Sequence, residues 1–180
     1  MRLADKVAIV TGAGSGFGEG IATRFAAEGA RVVVNDVDSA NGERVAAAIR
    51  LAGGQATFVR ADVSRGDDVK ALLQATLATY GRLDIQINNA GVSHRNQSML
   101  TVPEDEFDRV YAVNVKSLYW TAQHMAPHFR DNGGGVFINI ASTGGVRPRP
   151  GLVWYNGTKG AVSVTSRAMA VEMAPHSIRV

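Results

Sequence analysis

Lys6–Gly18, KVAIVTGAGSGFG, is the stretch on which the fold turns. Lys6 to Thr11 is a short apolar run that ends in glycines, the pattern of a buried strand. Glu19 to Glu28 then carries helical periodicity and is closed by Gly29. Strand, glycine turn and helix together form an anion-binding arrangement, because free N–H groups and the helix dipole face the turn. The spacing G-x-G-x-x-G is not met, since Phe17 stands where its third glycine would fall. What fits is T-G-x-x-x-G-x-G, on Thr11, Gly12, Gly16 and Gly18. A tight connection without a ligand is the alternative reading of this turn alone.

The chain that follows repeats the strand–helix alternation. Arg31–Asp36, RVVVND, reads as a second strand buried on both faces. It ends in an acid at the distance beyond the glycine turn where a carboxylate binds adenosine ribose hydroxyls. A carboxylate there repels a 2′-phosphate, and position 15 is Ser rather than a base. Both features favour NAD over NADP. The competing role, capping the next helix, is better filled by Asp38 or Ser39. A helix is expected from about Ser39 to Ala52, then a third strand over Gln55–Arg60 with Asp62 and Val63 behind it. Ser64 and Asp67 read as a capping box for a helix reaching Tyr80. Leu83–Asn88 is the fourth strand, running into Asn89, Ala90 and Gly91, small residues that let a flat cofactor approach the backbone. Thr101, Pro103 and Glu104 open a helix expected to continue to about Phe129, with Asn114 buried inside it. Gly135–Ile140 is the fifth strand, with Ser142 just past its end.

Alternation of this kind specifies an α/β fold, a doubly wound, mostly parallel sheet with helices on both faces. Each candidate group follows a strand, and in such sheets ligands bind at that edge.

Tyr155 opens the next predicted helix, ending near Ala174, and Lys159 lies one turn on, on the same face. A tyrosine titrates near ~10, so a tyrosine base at neutral pH needs its anion favoured by about 4 kcal/mol. A neighbouring ammonium acts in that direction. Ser142, thirteen residues before Tyr155, could donate to a substrate oxygen while Tyr155 exchanges a proton with it.

Composition limits the alternatives. The 180 residues suffice for one sizeable core and are read as a single domain. A balance of 19 basic and 16 acidic residues, scattered without a basic stripe, argues against nucleic acid. There is no cysteine, so disulfides and thiolate metal sites are excluded. The first residues run into a strand without a leader, and no apolar run has membrane-spanning length. A cytoplasmic location with no membrane partner is the expectation. His124 and His128 lie four apart, but with Pro127 between them and no adjacent glutamate the zinc pattern H-E-x-x-H is absent; no metal is expected. His94 and Arg95 are expected in a solvated loop, and Arg147–Pro150, RPRP, in a stiff turn at the pocket mouth.

Together TGAGSGFG at Thr11, Asp36, ADV at Ala61, NNAG at Asn88, Asn114, Ser142 and YNGTK at Tyr155 resemble the short-chain dehydrogenase/reductase family. The resemblance covers essentially the whole chain and implies a Rossmann-like fold. It implies that Gly12, Ser15, Gly16, Phe17 and Gly18 hold the pyrophosphate, Asp36 the adenosine ribose, and Asp62 and Val63 the adenine. In such enzymes Asn89, Ala90 and Gly91 border the cofactor. Tyr155 is then the acid/base, and Lys159 binds the nicotinamide ribose and lowers the tyrosine pKa. Ser142 orients the substrate oxygen, and Asn114 anchors a water in a proton relay. The implied reaction moves a hydride between NAD and a small-molecule secondary alcohol or ketone. A dinucleotide-binding scaffold without turnover is the alternative. Of the apolar outer positions Leu118, Trp120, Val164 and Met169 on the helices of Asn114 and Tyr155, core packing explains some, and the resemblance implies a homodimer or homotetramer through those two helices. Gly157 and Thr158 replace the commoner Ala-Ser within the tyrosine motif. His176–Val180 reads as the start of a sixth strand, so the family's C-terminal strands are expected to lie outside this sequence.

Overall fold

In the computed structural model, which describes residues 1–180, six parallel strands form one sheet in the order β3-β2-β1-β4-β5-β6. They are β1 (Val7–Thr11), β2 (Arg31–Asp36), β3 (Gln55–Arg60), β4 (Ile85–Asn88), β5 (Gly135–Asn139) and β6 (Ile178–Arg179). The helices between them are α1 (Gly16–Ala27), α2 (Ser39–Leu51), α3 (Gly66–Tyr80), α4 (Glu104–Tyr111), α5 (Ser117–Asp131) and α6 (Val153–Met173). Every residue of β1 is buried, as its unbroken apolar run requires for a strand covered on both faces. Strand order reverses at β1. The chain winds outward through β2 and β3, then returns so that β4 pairs with the other side of β1. A crevice opens at the carboxyl ends of strands flanking such a reversal.

Alternate strand residues feed two cores. Ala8, Val10, Val32 and Val34 pack under α1 and α2 against Ala22, Val45 and Ile49. Val7, Ile9 and Val33 pack on the other face with Leu72, Met125, Phe129 and Phe137. Phe129 and Phe137 meet edge to face, centroids 5.1 Å apart, an arrangement that suits the ring quadrupoles.

Three local expectations need correction. Ser64 does not cap α3; its N–H and hydroxyl both donate to Asp62 Oδ1 (2.9 and 2.7 Å), and the residue before the helix is Arg65. The helix expected from Thr101 to Phe129 is interrupted. A 3₁₀ turn at Met99–Thr101 precedes α4, and a π-helical turn at Ala112–Lys116 separates α4 from α5. α6 begins at Val153, before Tyr155. As expected, core packing explains some of the apolar positions on α5 and α6: Leu118 is buried, and Trp120 and Met169 pack against the second core, while Val164 is exposed.

Candidate active site

Every group singled out after a strand lies on the carboxyl edge of the sheet. Thr11, the last residue of β1, organises the crevice through its hydroxyl. Its Oγ1 accepts from the N–H groups of Asn89 and Ala90 (3.0 and 3.1 Å) and donates to the carbonyl of Ile87 (3.1 Å). The Asn89 carboxamide returns the contact, donating to the carbonyls of Thr11 and Gly12 (2.8 and 3.0 Å). Gly12 takes a left-handed backbone with φ +61°, and a β-carbon there would sit 2.8 Å from Ala90 Cα. The glycine turn and the NNAG segment are therefore packed backbone to backbone, which only a residue without a side chain allows.

A cleft of about 590 Å³ opens beside them. Gly12, Ser15, Gly16, Phe17, Asp36, Asp62, Val63, Asn89, Ala90 and Gly91 line it, as the sequence places them; Gly18, Tyr155 and Lys159 do not. Gly18 instead packs under the turn, where a β-carbon would come within 2.6 Å of Asn89 Nδ2. The Ser15 side chain makes no capping bond to α1, so the first-turn N–H groups of that helix keep free donors. Gly16 faces open space, since a β-carbon there would meet nothing within 4 Å. Asn35 Oδ1 is buried, borders the cleft and has no partner. Bare donors beside open space fit an anionic, phosphate-bearing ligand. Asp36 accepts from the Gly14 N–H at Oδ2 (2.9 Å) and from the Asp38 N–H at Oδ1 (3.0 Å). Asp38, not Asp36, caps α2, accepting from the Asn41 N–H at 3.0 Å.

The second half of the site converges on two glycines. A β-carbon on Gly91 would lie 3.4 Å from both Asn114 Oδ1 and Lys159 Nζ. One on Gly144 would lie 3.5 Å from Ser142 Oγ and 3.6 Å from Tyr155 Cε1. Thus Gly91 joins the cleft to Lys159 and Asn114, and Gly144 sits between Ser142 and Tyr155. Lys159 is buried, and burial lowers its pKa from the ordinary 10.5. Its Nζ donates to the Ile140 carbonyl (2.8 Å) and lies 6.0 Å from the Tyr155 ring centroid. Ser142 Oγ accepts from the Gly144 N–H (3.1 Å), leaving the hydroxyl proton available. Asn114, inside the π-helical turn, accepts from the Val92 N–H and donates to the Val92 carbonyl, both at 2.8 Å. It also donates to Thr158 Oγ1 at 3.0 Å, and Thr158 in turn donates to the Tyr155 carbonyl at 2.7 Å. π-helical turns concentrate at functional sites.

One expectation is revised here. His94 is buried rather than solvated, with Nδ1 2.7 Å from the Arg95 carbonyl. Pro148, Arg149 and Pro150 border a groove of about 570 Å³ that takes in Gly144, between Ser142 and Tyr155, and is distinct from the cleft at the glycine turn. Their loop is tied to the NNAG-following segment, Asn96 Nδ2 donating to the Pro150 carbonyl and the Gln97 N–H to the Gly151 carbonyl. Sequence reasoning missed Thr11 as organiser and Arg109 as a cleft residue. Arg109 borders the cleft and donates to the Ser93 carbonyl at 3.1 Å; nothing in the helix pattern marks it.

The family model described as short chain dehydrogenase matches residues 6–180. The chain belongs to the short-chain dehydrogenase family. Among curated members it is 48% identical to 4-formylbenzenesulfonate dehydrogenase of Comamonas testosteroni, covering all of this chain and 71% of that protein. It is 36% identical to 7alpha-hydroxysteroid dehydrogenase of Escherichia coli, over all of this chain and 70% of that one. Among solved members, the 3-ketoacyl-(acyl-carrier-protein) reductase of Brucella melitensis, complexed with NADH, superposes with a TM-score of 0.95 at 49% identity. That match covers 99% of this chain and 74% of the reductase. Short-chain dehydrogenases are oxidoreductases, and this chain shares their parallel, helix-flanked sheet.

Proposed function

We propose that the protein is an NAD(H)-dependent oxidoreductase acting between a secondary alcohol and a ketone. The observation that carries this reading is Gly91, which borders the cleft and neighbours both Lys159 Nζ and Asn114 Oδ1. A ligand lying along the cleft therefore ends beside the buried lysine. Bound there, a nicotinamide dinucleotide would supply or accept the hydride. The first turn of α1 and the glycine turn would hold its pyrophosphate, Asp36 its adenosine ribose, and Asp62 and Val63 would border its adenine. The NADH bound by the related reductase supports a nicotinamide dinucleotide, and the Asp36 carboxylate supports NAD over NADP.

Tyr155 exchanges a proton with the substrate oxygen, and Lys159 holds its ammonium 6.0 Å from the Tyr155 ring centroid. Ser142 donates its free hydroxyl proton to the same oxygen, and Asn114 anchors the relay toward Lys159. For oligomerisation, α6 carries an exposed stripe of Val153, Val164 and Val171 with Gly157 between. Spacing at whole helical turns puts them on one face, which supports self-association through α6.

The decisive experiment replaces Tyr155 by Phe. Turnover of secondary alcohols with NAD should fall by at least about 10²-fold, while NADH binding, read by its fluorescence, persists. Unchanged turnover overturns the assignment.

A further inference from the structure

Gly14 is held from two sides by opposite charges. Its N–H donates to Asp36 Oδ2 (2.9 Å), and its carbonyl accepts from Arg44 Nη2 (3.0 Å). Arg44 is at the same time a bidentate partner of Glu19, Nη1 to Oε1 and Nη2 to Oε2 at 2.9 Å each. Glu19 lies in the first turn of α1 and Arg44 on α2. Asn41, one turn before Arg44, faces the same glycine: a β-carbon on Gly14 would lie 3.1 Å from Asn41 Cβ and 2.9 Å from Asp36 Oδ2. So α2 brings a guanidinium against the glycine turn, on the same residue whose N–H Asp36 holds, although position 15 in the turn itself is Ser.

A guanidinium in that place is the group that recognises a phosphate, by paired N–H donors in a fixed fork. Here the fork is already filled by a carboxylate of matching geometry. Glu19, Asp36 and Arg44 leave this corner with a net single negative charge. We propose that Glu19 is a selectivity residue: by occupying Arg44 it withholds from a 2′-phosphate the one cation that touches the glycine turn. This rests on the reading of Asp36 as the adenosine ribose ligand. Rejection of NADPH then has two parts, repulsion by Asp36 and sequestration of Arg44 by Glu19. The Arg44 and Glu19 side chains are 52% and 34% exposed, so exchanging either leaves the core intact, and the pair is soft enough to yield when its charge is removed.

The test is equilibrium binding of NADH and of NADPH, followed by cofactor fluorescence, to the wild-type chain, E19Q, E19Q/R44Q and D36N. In E19Q the NADPH-to-NADH ratio of Kd values should fall about fivefold or more at low salt, and the gain should shrink in 0.5 M salt, at about a 4 Å Debye length. E19Q/R44Q should lose the gain. If E19Q leaves the ratio unchanged while D36N lowers it, the role of Glu19 is refuted. A gain that survives in E19Q/R44Q refutes the part given to Arg44. A ratio that D36N does not move refutes the ribose reading of Asp36 instead, and with it the frame on which the inference stands.

Discussion

Lys159 donates from Nζ to the backbone carbonyl of Ile140 over 2.8 Å, which fixes α6 to the chain just past β5. A flexible side chain thereby becomes a strut with its charge in one place. Burial works against that charge and lowers the lysine pKa below 10.5. The unfolded chain therefore binds this proton more tightly, and at neutral pH folding has to bury a charge. As pH rises through the lowered folded value toward 10.5, that penalty disappears, so the contribution of Lys159 to stability rises with pH. Lys159→Met lacks this term. Urea unfolding at a series of pH values should show wild type gaining on the variant as pH increases; parallel curves would reject the assignment. On the proposed mechanism, turnover of the variant should fall about 10²-fold or more.

Gly18 and Gly20 lie two residues apart in α1 and should respond oppositely to alanine. A β-carbon on Gly18 would meet Asn89 Nδ2 at 2.6 Å and the Gly12 carbonyl, whereas one on Gly20 has nothing within 4 Å. Gly18→Ala should cost about 1–3 kcal/mol by overpacking and weaken NADH binding. Gly20→Ala should stabilise by about 0.5–1 kcal/mol through helix propensity. Denaturant midpoints of the two variants check the pair, and a shift in the same direction would contradict the packing described.

Asn114 satisfies both backbone groups of Val92. Asn114→Leu leaves that N–H and carbonyl without partners in a part-buried setting, a loss of about 1–3 kcal/mol. Thermal unfolding of the variant measures it. An unchanged midpoint would mean that water or a shifted chain replaces the carboxamide.

Val164 is 59% exposed on the valine stripe of α6. If that stripe is a self-association surface, Val164→Glu places a charge where each copy meets another and should lower the assembly state in sedimentation. Wild type sedimenting as a monomer would remove the stripe from consideration.

Much of this arrangement was legible because it rests on local chemistry. β1 and β2 are apolar runs bounded by glycine or acid, and Asp36 and Ser142 follow strands as the alternation demands. Tyr155 and Lys159 share a helix face through spacing alone. What escaped depends on contacts between distant segments. Ser64 has the spacing of a cap, yet Asp62 captures its hydroxyl at 2.7 Å. The π-helical turn holds Asn114, whose carboxamide grips Val92 twenty-two residues away, a contact that no helical period announces. The Arg44–Glu19 pair joins two helices across twenty-five residues and leaves no trace in either helix alone. His94 sits in a polar stretch whose composition points to solvent, yet it is buried, with Nδ1 against the Arg95 carbonyl.

The Thr11 hydroxyl that orders the crevice bonds to Asn89 and Ala90, seventy-eight and seventy-nine residues later. Neither side has that contact while the chain between them is unfolded, and closing so long a loop carries a large entropic cost before any contact offsets it. The ligand crevice is therefore incomplete until β4 sits beside β1, whereas β1, β2 and β3 can pair without it. During synthesis, dinucleotide affinity would report not that the glycine turn has been made, but that β4 has emerged and inserted beside β1.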